Sequence, residues 1–98
     1  MSSGWKVEYT ETALAALRKL DKPVARRIMD YLDAHIVGQD APRTTGKRLQ
    51  GPLAGLWRYR VGDMRVICQI EDQVLRVRVL RLGKRSEIYR CDPLHHPP

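Results

Sequence analysis

A chain of 98 residues with 18 Lys and Arg against 11 Asp and Glu has room for one modest core and carries a formal charge of +7 at pH 7. Its hydrophobic fraction of 43% argues against intrinsic disorder, no apolar run approaches membrane-spanning length, and the opening MSSGWKVEYT lacks the apolar centre of a secretory signal, so one cytoplasmic domain over residues 1–98 is expected. Cys68 and Cys91 form no CxxC pair, and His95 and His96 sit in a Pro-rich end, which argues against a disulfide framework, a metal site or another bound cofactor.

In chain order, Trp5 to Tyr9 alternates as a short strand, with Trp5, Val7 and Tyr9 on one face. Thr10 is placed to cap a helix with Glu11 in its first turn, and Ala13, Leu14, Leu17 and Leu20 form the apolar stripe of that helix. Asp21 is the expected cap of a second helix, where Pro23 is tolerated in the first turn. Val24, Ile28, Tyr31, Leu32 and Ile36 then repeat at helical spacing until Gly38 stops it. So short a connection makes the two helices an antiparallel hairpin. Their charged positions, Arg18, Lys19, Arg26, Arg27, Asp30 and Asp33, read as a solvated exterior. Gln39 to Gly55 reads as a loop rich in Pro, Gly and Thr that also holds Arg43, Lys47 and Arg48.

Leu56 to Leu82 reads as three antiparallel strands joined by two tight turns. Gly62-Asp63 has the Gly-X form of a two-residue II′ loop, and Asp72-Gln73 is the second candidate turn. Counting outward from the first sets Val61 opposite Met64, Arg60 opposite Arg65, Tyr59 opposite Val66 and Trp57 opposite Cys68. A two-residue second loop sets Glu71 opposite Val74, Ile70 opposite Leu75, Cys68 opposite Val77, Ile67 opposite Arg78 and Val66 opposite Val79. Trp57, Tyr59, Val61, Met64, Val66, Cys68, Ile70, Leu75, Val77 and Val79 then share the core face. The other face carries Arg58, Arg60, Arg65, Gln69, Arg76 and Arg78, with Ile67, Val74 and Leu80 as its apolar company. Beyond the last strand, Gly83 to Arg90 is a short basic segment, and residues 91–98 read as a flexible tail.

Through Pro42 the chain has six basic and six acidic residues, whereas Arg43 to Arg90 has twelve basic residues against Asp63, Glu71, Asp72 and Glu87. The excess charge belongs to the sheet half and points to a polyanion, with nucleic acid ahead of a membrane because no basic amphipathic helix accompanies it. Like charges facing each other across a sheet are destabilising, so Arg60 opposite Arg65 is costly unless an anion bridges them. Simple solubility is the plainer reading of such a face, but solubility is served by mixed signs and this face shows almost one sign.

Strand, helical hairpin, basic loop and three-stranded meander, with LxGLWRYRVGDMRVICQI and LGKRSEIY, resemble the RelE/ParE superfamily of type II toxin-antitoxin toxins, RelE branch, from Trp5 to Tyr89. The resemblance implies an α+β fold of the RelE-like microbial ribonuclease type. It also implies an endoribonuclease (mRNA interferase) that enters the ribosomal A site and cuts mRNA without metal, by in-line attack of a ribose 2′-hydroxyl on the adjacent phosphodiester. A cognate antitoxin would neutralise it. Matched by motif, the implied catalytic set is Arg58, Arg60, Arg65, Arg85 and Tyr89. Arg43, Lys47, Arg48, Arg76, Arg78 and Lys84 are the expected RNA-binding residues around it.

Such a reaction needs the 2′-hydroxyl proton removed, the pentacoordinate phosphorane neutralised and the leaving 5′-oxygen stabilised. Permanently charged, bidentate guanidiniums suit the second task, assigned here to Arg65 and Arg85. Tyr89 can stack on an unpaired base and offer its hydroxyl to the attacking oxygen. Family members carry lysines where this chain has Arg58 and Arg60, and arginine does not give up its proton, so the base here would be Tyr89, a ribosomal group or water. A ParE-like toxin that poisons DNA gyrase without chemistry of its own shares the fold, and a plain nucleic-acid-binding module would need the basic face alone.

Overall fold

The computed structural model describes residues 4–37 and 42–84. Gly38, Arg85, Tyr89, Cys91 and the terminal histidines lie outside the described residues. The described elements are β1 (Lys6–Tyr9), α1 (Glu11–Lys19), α2 (Lys22–Leu32), α3 (Pro42–Thr45), β2 (Lys47–Arg48), β3 (Trp57–Val61), β4 (Met64–Glu71) and β5 (Arg76–Lys84). The five strands form one mixed sheet in the order β1-β5-β4-β3-β2, with β1 parallel to β5 and the remaining pairs antiparallel. Both helices of the hairpin pack on the same face, α1 against β5 and α2 against β3. No helix among the described residues is long and apolar enough to cross a membrane.

Local chemistry accounts for most of these boundaries. Thr10 Oγ1 accepts from the Ala13 amide at 3.2 Å, capping α1, and its hydroxyl donates to the Leu80 carbonyl at 2.9 Å, which ties the helix start to β5. Asp21, by contrast, makes no side-chain cap bond. Pro23 serves the first turn of α2 instead, with its φ already fixed and no amide to satisfy. The helix then runs into a π turn, Asp33–Val37, that buries Ile36. Ala13, Leu17, Ile28, Leu32 and Ile36 meet Tyr59, Val61, Val66, Cys68, Val77 and Val79 in the core. The 39–55 segment is more than a loop: it contains α3, the edge strand β2 and a 3-10 turn, Gly51–Leu53. Tyr59, fully buried, donates its hydroxyl to the Pro42 carbonyl at 2.6 Å and so pins α3 to the core, and burial pushes the phenol well above its ordinary pKa.

The first hairpin has the expected register: Val61 faces Met64, Arg60 faces Arg65, Tyr59 faces Val66 and Trp57 faces Cys68. Gly62 at φ 59 takes the position where a II′ turn requires positive φ. The second hairpin differs. Its loop has four residues, Asp72 to Leu75, with Leu75 left-handed at φ 51, so Glu71 faces Arg76, Ile70 faces Val77 and Cys68 faces Val79. A shift of two residues preserves which face each side chain takes, so the expected core face holds except at Leu75, which is exposed in the turn. A bulge follows. Cys68 faces Val79 whereas Ile67 faces Arg81, leaving Leu80 as the extra residue and reversing the alternation of the rest of β5.

Candidate functional site

The sheet face away from the helices is organised in cross-strand rows, with neighbouring strands about 4.8 Å apart. One row runs Lys47, Arg58, Ile67, Arg81 across β2, β3, β4 and β5; the next runs Arg60, Arg65, Gly83. Five cations from four strands therefore share a single patch. Arg60 is exposed and Arg58 half-buried, while Arg65 is only 6% exposed, rare for an arginine. Its Nη1 donates to the Gly62 carbonyl at 3.2 Å and to the Met64 carbonyl at 3.1 Å, folding the guanidinium against the hairpin. Those bonds offset part of the repulsion from Arg60 and hold the charge in a fixed place. Ile67, expected beside solvent, is buried between the rows' arginines.

The far end of the same face carries carboxylates as well as arginines. Arg76 Nε and Nη2 donate to the Glu71 carboxylate at 2.8 and 3.0 Å, Arg76 Nη1 lies 3.4 Å from Glu8, and Arg78 Nε is 3.8 Å from Glu71. The hydrogen bonds from Arg76 lower the Glu71 pKa, and Glu71 raises that of Arg76. The face is thus not of one sign. Glu8 arrives from β1 through its parallel pairing with β5, and together with Glu71 it neutralises the end that holds Arg76 and Arg78.

The other expected RNA-binding residues divide by strand parity. Lys47 joins the cationic patch, whereas Arg48, its neighbour on the edge strand, faces the helix side opposite Trp57. Arg43 is on that side too, bidentate to Asp72 at 2.8 and 2.7 Å, which lowers the Asp72 pKa. Lys84, paired with Met64, lines a small groove of about 200 Å³ with Val24, Arg27, Ile28, Val61 and Asp63 on the helix side. The structure therefore brings together Arg58, Arg60, Arg65 and Lys47 and adds Arg81, which sequence reasoning missed. A signal was present: the apolar doublet Val79-Leu80 interrupts the alternation of RVRVLRL, as a bulge does. Cys68 is wholly buried, its thiol pushed up by burial and inert as a nucleophile.

A helical hairpin on one face of a small mixed sheet, with an arginine-rich patch on the other, is the arrangement of a small α+β toxin of the RelE/ParE type. The chain belongs to the family described as the ParE toxin of type II toxin-antitoxin systems, parDE, which matches residues 7–89. It is 32% identical to Toxin RelE of Mycobacterium tuberculosis over 89 residues, covering 91% of this chain and 90% of that protein. Toxin RelG of the same organism is 30% identical over 86 residues, covering 88% and 97%. Among solved structures, the toxin-antitoxin complex RelBE2 of M. tuberculosis matches with a TM-score of 0.76 and 28% identity, over 84% of this chain and 99% of that one. The isolated E. coli RelE toxin matches with a TM-score of 0.66 and 25% identity, over 88% and 92%.

Proposed function

We propose that this toxin is a ribosome-dependent endoribonuclease that cuts mRNA in the ribosomal A site by attack of a ribose 2′-hydroxyl on the adjacent phosphodiester. The observation that carries the reading is the convergence of Lys47, Arg58, Arg60, Arg65 and Arg81 on one face of the sheet. A polyanion is the ligand that a cluster of basic side chains on one face suits. Arg65 has the character the phosphorane demands: it is buried and held by two backbone carbonyls, so little reorganisation is needed when charge develops nearby. Arg60, exposed and directly opposite, would grip two phosphate oxygens bidentately. Arg58 and Arg81 flank them in the next row and fit the neighbouring phosphates. Arg85 and Tyr89 complete the set by motif, and since none of these arginines can act as base, the 2′-hydroxyl proton goes to Tyr89, a ribosomal group or water.

A cognate antitoxin is the natural inhibitor of a type II toxin, and the RelBE2 structure is itself such a complex. An acidic segment of that partner would lie over the same cations and compete with RNA. The second reading, a gyrase poison, is favoured by the ParE description of the matched family. Mapping of mRNA ends after in vitro translation with added toxin separates the two. Cuts within A-site codons are expected. Uncut message together with gyrase-dependent DNA breaks would establish the other reading.

A further inference from the structure

Arg48 points away from the cationic patch. Its guanidinium carbon lies 5.7 Å from the centroid of the Trp57 ring, and that of Arg43 lies 5.5 Å from the same ring. The two arginines are not equivalent. Arg43 spends its charge on Asp72, whereas Arg48 has no carboxylate partner among the described residues. Both line an open cleft of about 570 Å³ with Trp57, Gln50 and the glycines at 51 and 55, a volume within the range of small-ligand sites. Gly51 and Gly55 have φ of 68 and 93, and a methyl group on either would meet no atom within 4 Å, so the mouth is unobstructed.

The chemistry of this cleft suits a nucleotide. A guanidinium held near an indole is a flat cation with its rotation restrained, the platform on which unpaired bases stack in RNA recognition. Gln50 offers both a donor and an acceptor to the edge of a base. The route to the cleft is short as well. Lys47 and Arg48 are consecutive on a two-residue edge strand and face opposite sides of the sheet. A phosphodiester chain leaving the Lys47–Arg58 row can therefore round the edge and find the next cation already behind it.

We propose that this cleft binds one unpaired ribonucleotide, its base stacked on the Arg48 guanidinium and its edge read by Gln50, as a second RNA subsite across the β2 edge from the cationic patch. The subsite stands on its own geometry; only its source, message or ribosomal RNA, rests on the function proposed above.

The test compares Arg48→Ala, Arg48→Lys and Gln50→Ala with the unaltered toxin in binding a fluorescein-labelled single-stranded 12-mer, 2′-O-methylated throughout so that it cannot be cut by its own 2′-hydroxyls. Arg48→Ala and Arg48→Lys are both expected to weaken binding about tenfold, the scale of one base stack, because lysine keeps the charge and loses the plane. Gln50→Ala should weaken it less. An abasic 12-mer should bind Arg48→Lys, Gln50→Ala and the unaltered toxin alike, and Arg48→Ala more weakly only by the lost charge. Full rescue by Arg48→Lys, or an equal deficit on the abasic strand, would reduce Arg48 to a simple phosphate contact and overturn the subsite. Unchanged RNA binding with weakened binding of poly-glutamate would overturn it in favour of a protein-docking cleft. Empty ribosomes, and ribosomes programmed with mRNA abasic beside the A-site codon, then identify the source. Weaker binding of Arg48→Lys to empty ribosomes assigns ribosomal RNA, and a deficit that vanishes on the abasic message assigns mRNA.

Discussion

Arg60 and Arg65 face each other on adjacent strands, yet they stand to lose different things when removed. Arg60 is exposed, and its removal relieves repulsion, so Arg60→Ala should leave the melting temperature unchanged or slightly raised. Arg65→Ala deletes a buried side chain and its bonds to Gly62 and Met64, a loss of about 1–2 kcal/mol, or a melting temperature lower by roughly 4–16 °C in a domain of this size. Both should slow single-turnover cleavage at saturating ribosome by about a hundredfold, the scale of one transition-state charge contact. Arg81→Ala should slow it too, whereas Arg76→Ala should act on stability and association, because Arg76 is committed to Glu71 and Glu8. If Arg76→Ala slows the chemical step as much as Arg65→Ala, the face is a diffuse binding surface and these roles are misassigned.

Thr10 shows how much of the cationic face depends on contacts made elsewhere. Its hydroxyl caps α1 and reaches the bulge residue Leu80, so Thr10→Ala should cost about 1–2 kcal/mol in denaturant unfolding and loosen the part of β5 that presents Arg81. The acidic residues of the β4–β5 hairpin predict a pH dependence. Glu71 and Asp72 have folded pKa values lowered by Arg76 and Arg43 respectively, so each stabilises the fold above its ordinary carboxylate pKa of 4.5 or 3.8 and loses that contribution as pH falls through the lowered value. Thermal melts from pH 6 to pH 3 should show a shallower acid loss in Glu71→Gln than in the unaltered chain. A parallel loss in both would show that the pair contributes nothing. These elements also mark what the sequence made legible. Gly62-Asp63 declared its turn type, and strand alternation alone placed Arg58, Arg60 and Arg65 together. The second loop was miscounted because Asp72-Gln73 carries no glycine and the left-handed position falls on Leu75, a residue that gives no local sign of it. Arg81 was missed because a bulge breaks alternation at one residue. Glu8 was invisible to local counting, since it reaches Arg76 from a strand 68 residues away.

Across the whole molecule, the helix hairpin closes one face of the sheet, and the other face gathers Lys47, Arg58, Arg60, Arg65 and Arg81 at one end and Arg76 and Arg78 with Glu8 and Glu71 at the other. Association with RNA or an acidic antitoxin should therefore weaken steeply as salt rises; affinity unchanged between low and high salt would indicate apolar docking instead. The chemistry itself is tested most directly by one substitution in the substrate. A ribosome is programmed with mRNA bearing a single 2′-deoxyribose on the 5′ side of the A-site cleavage position, and product is followed in one turnover. Ribose mRNA should be cut at that position and the deoxy message should remain whole, since the attacking oxygen has been removed and every contact to the phosphate kept. Cutting of the deoxy message at the rate of the ribose message would contradict 2′-hydroxyl attack and require another nucleophile at this arginine face.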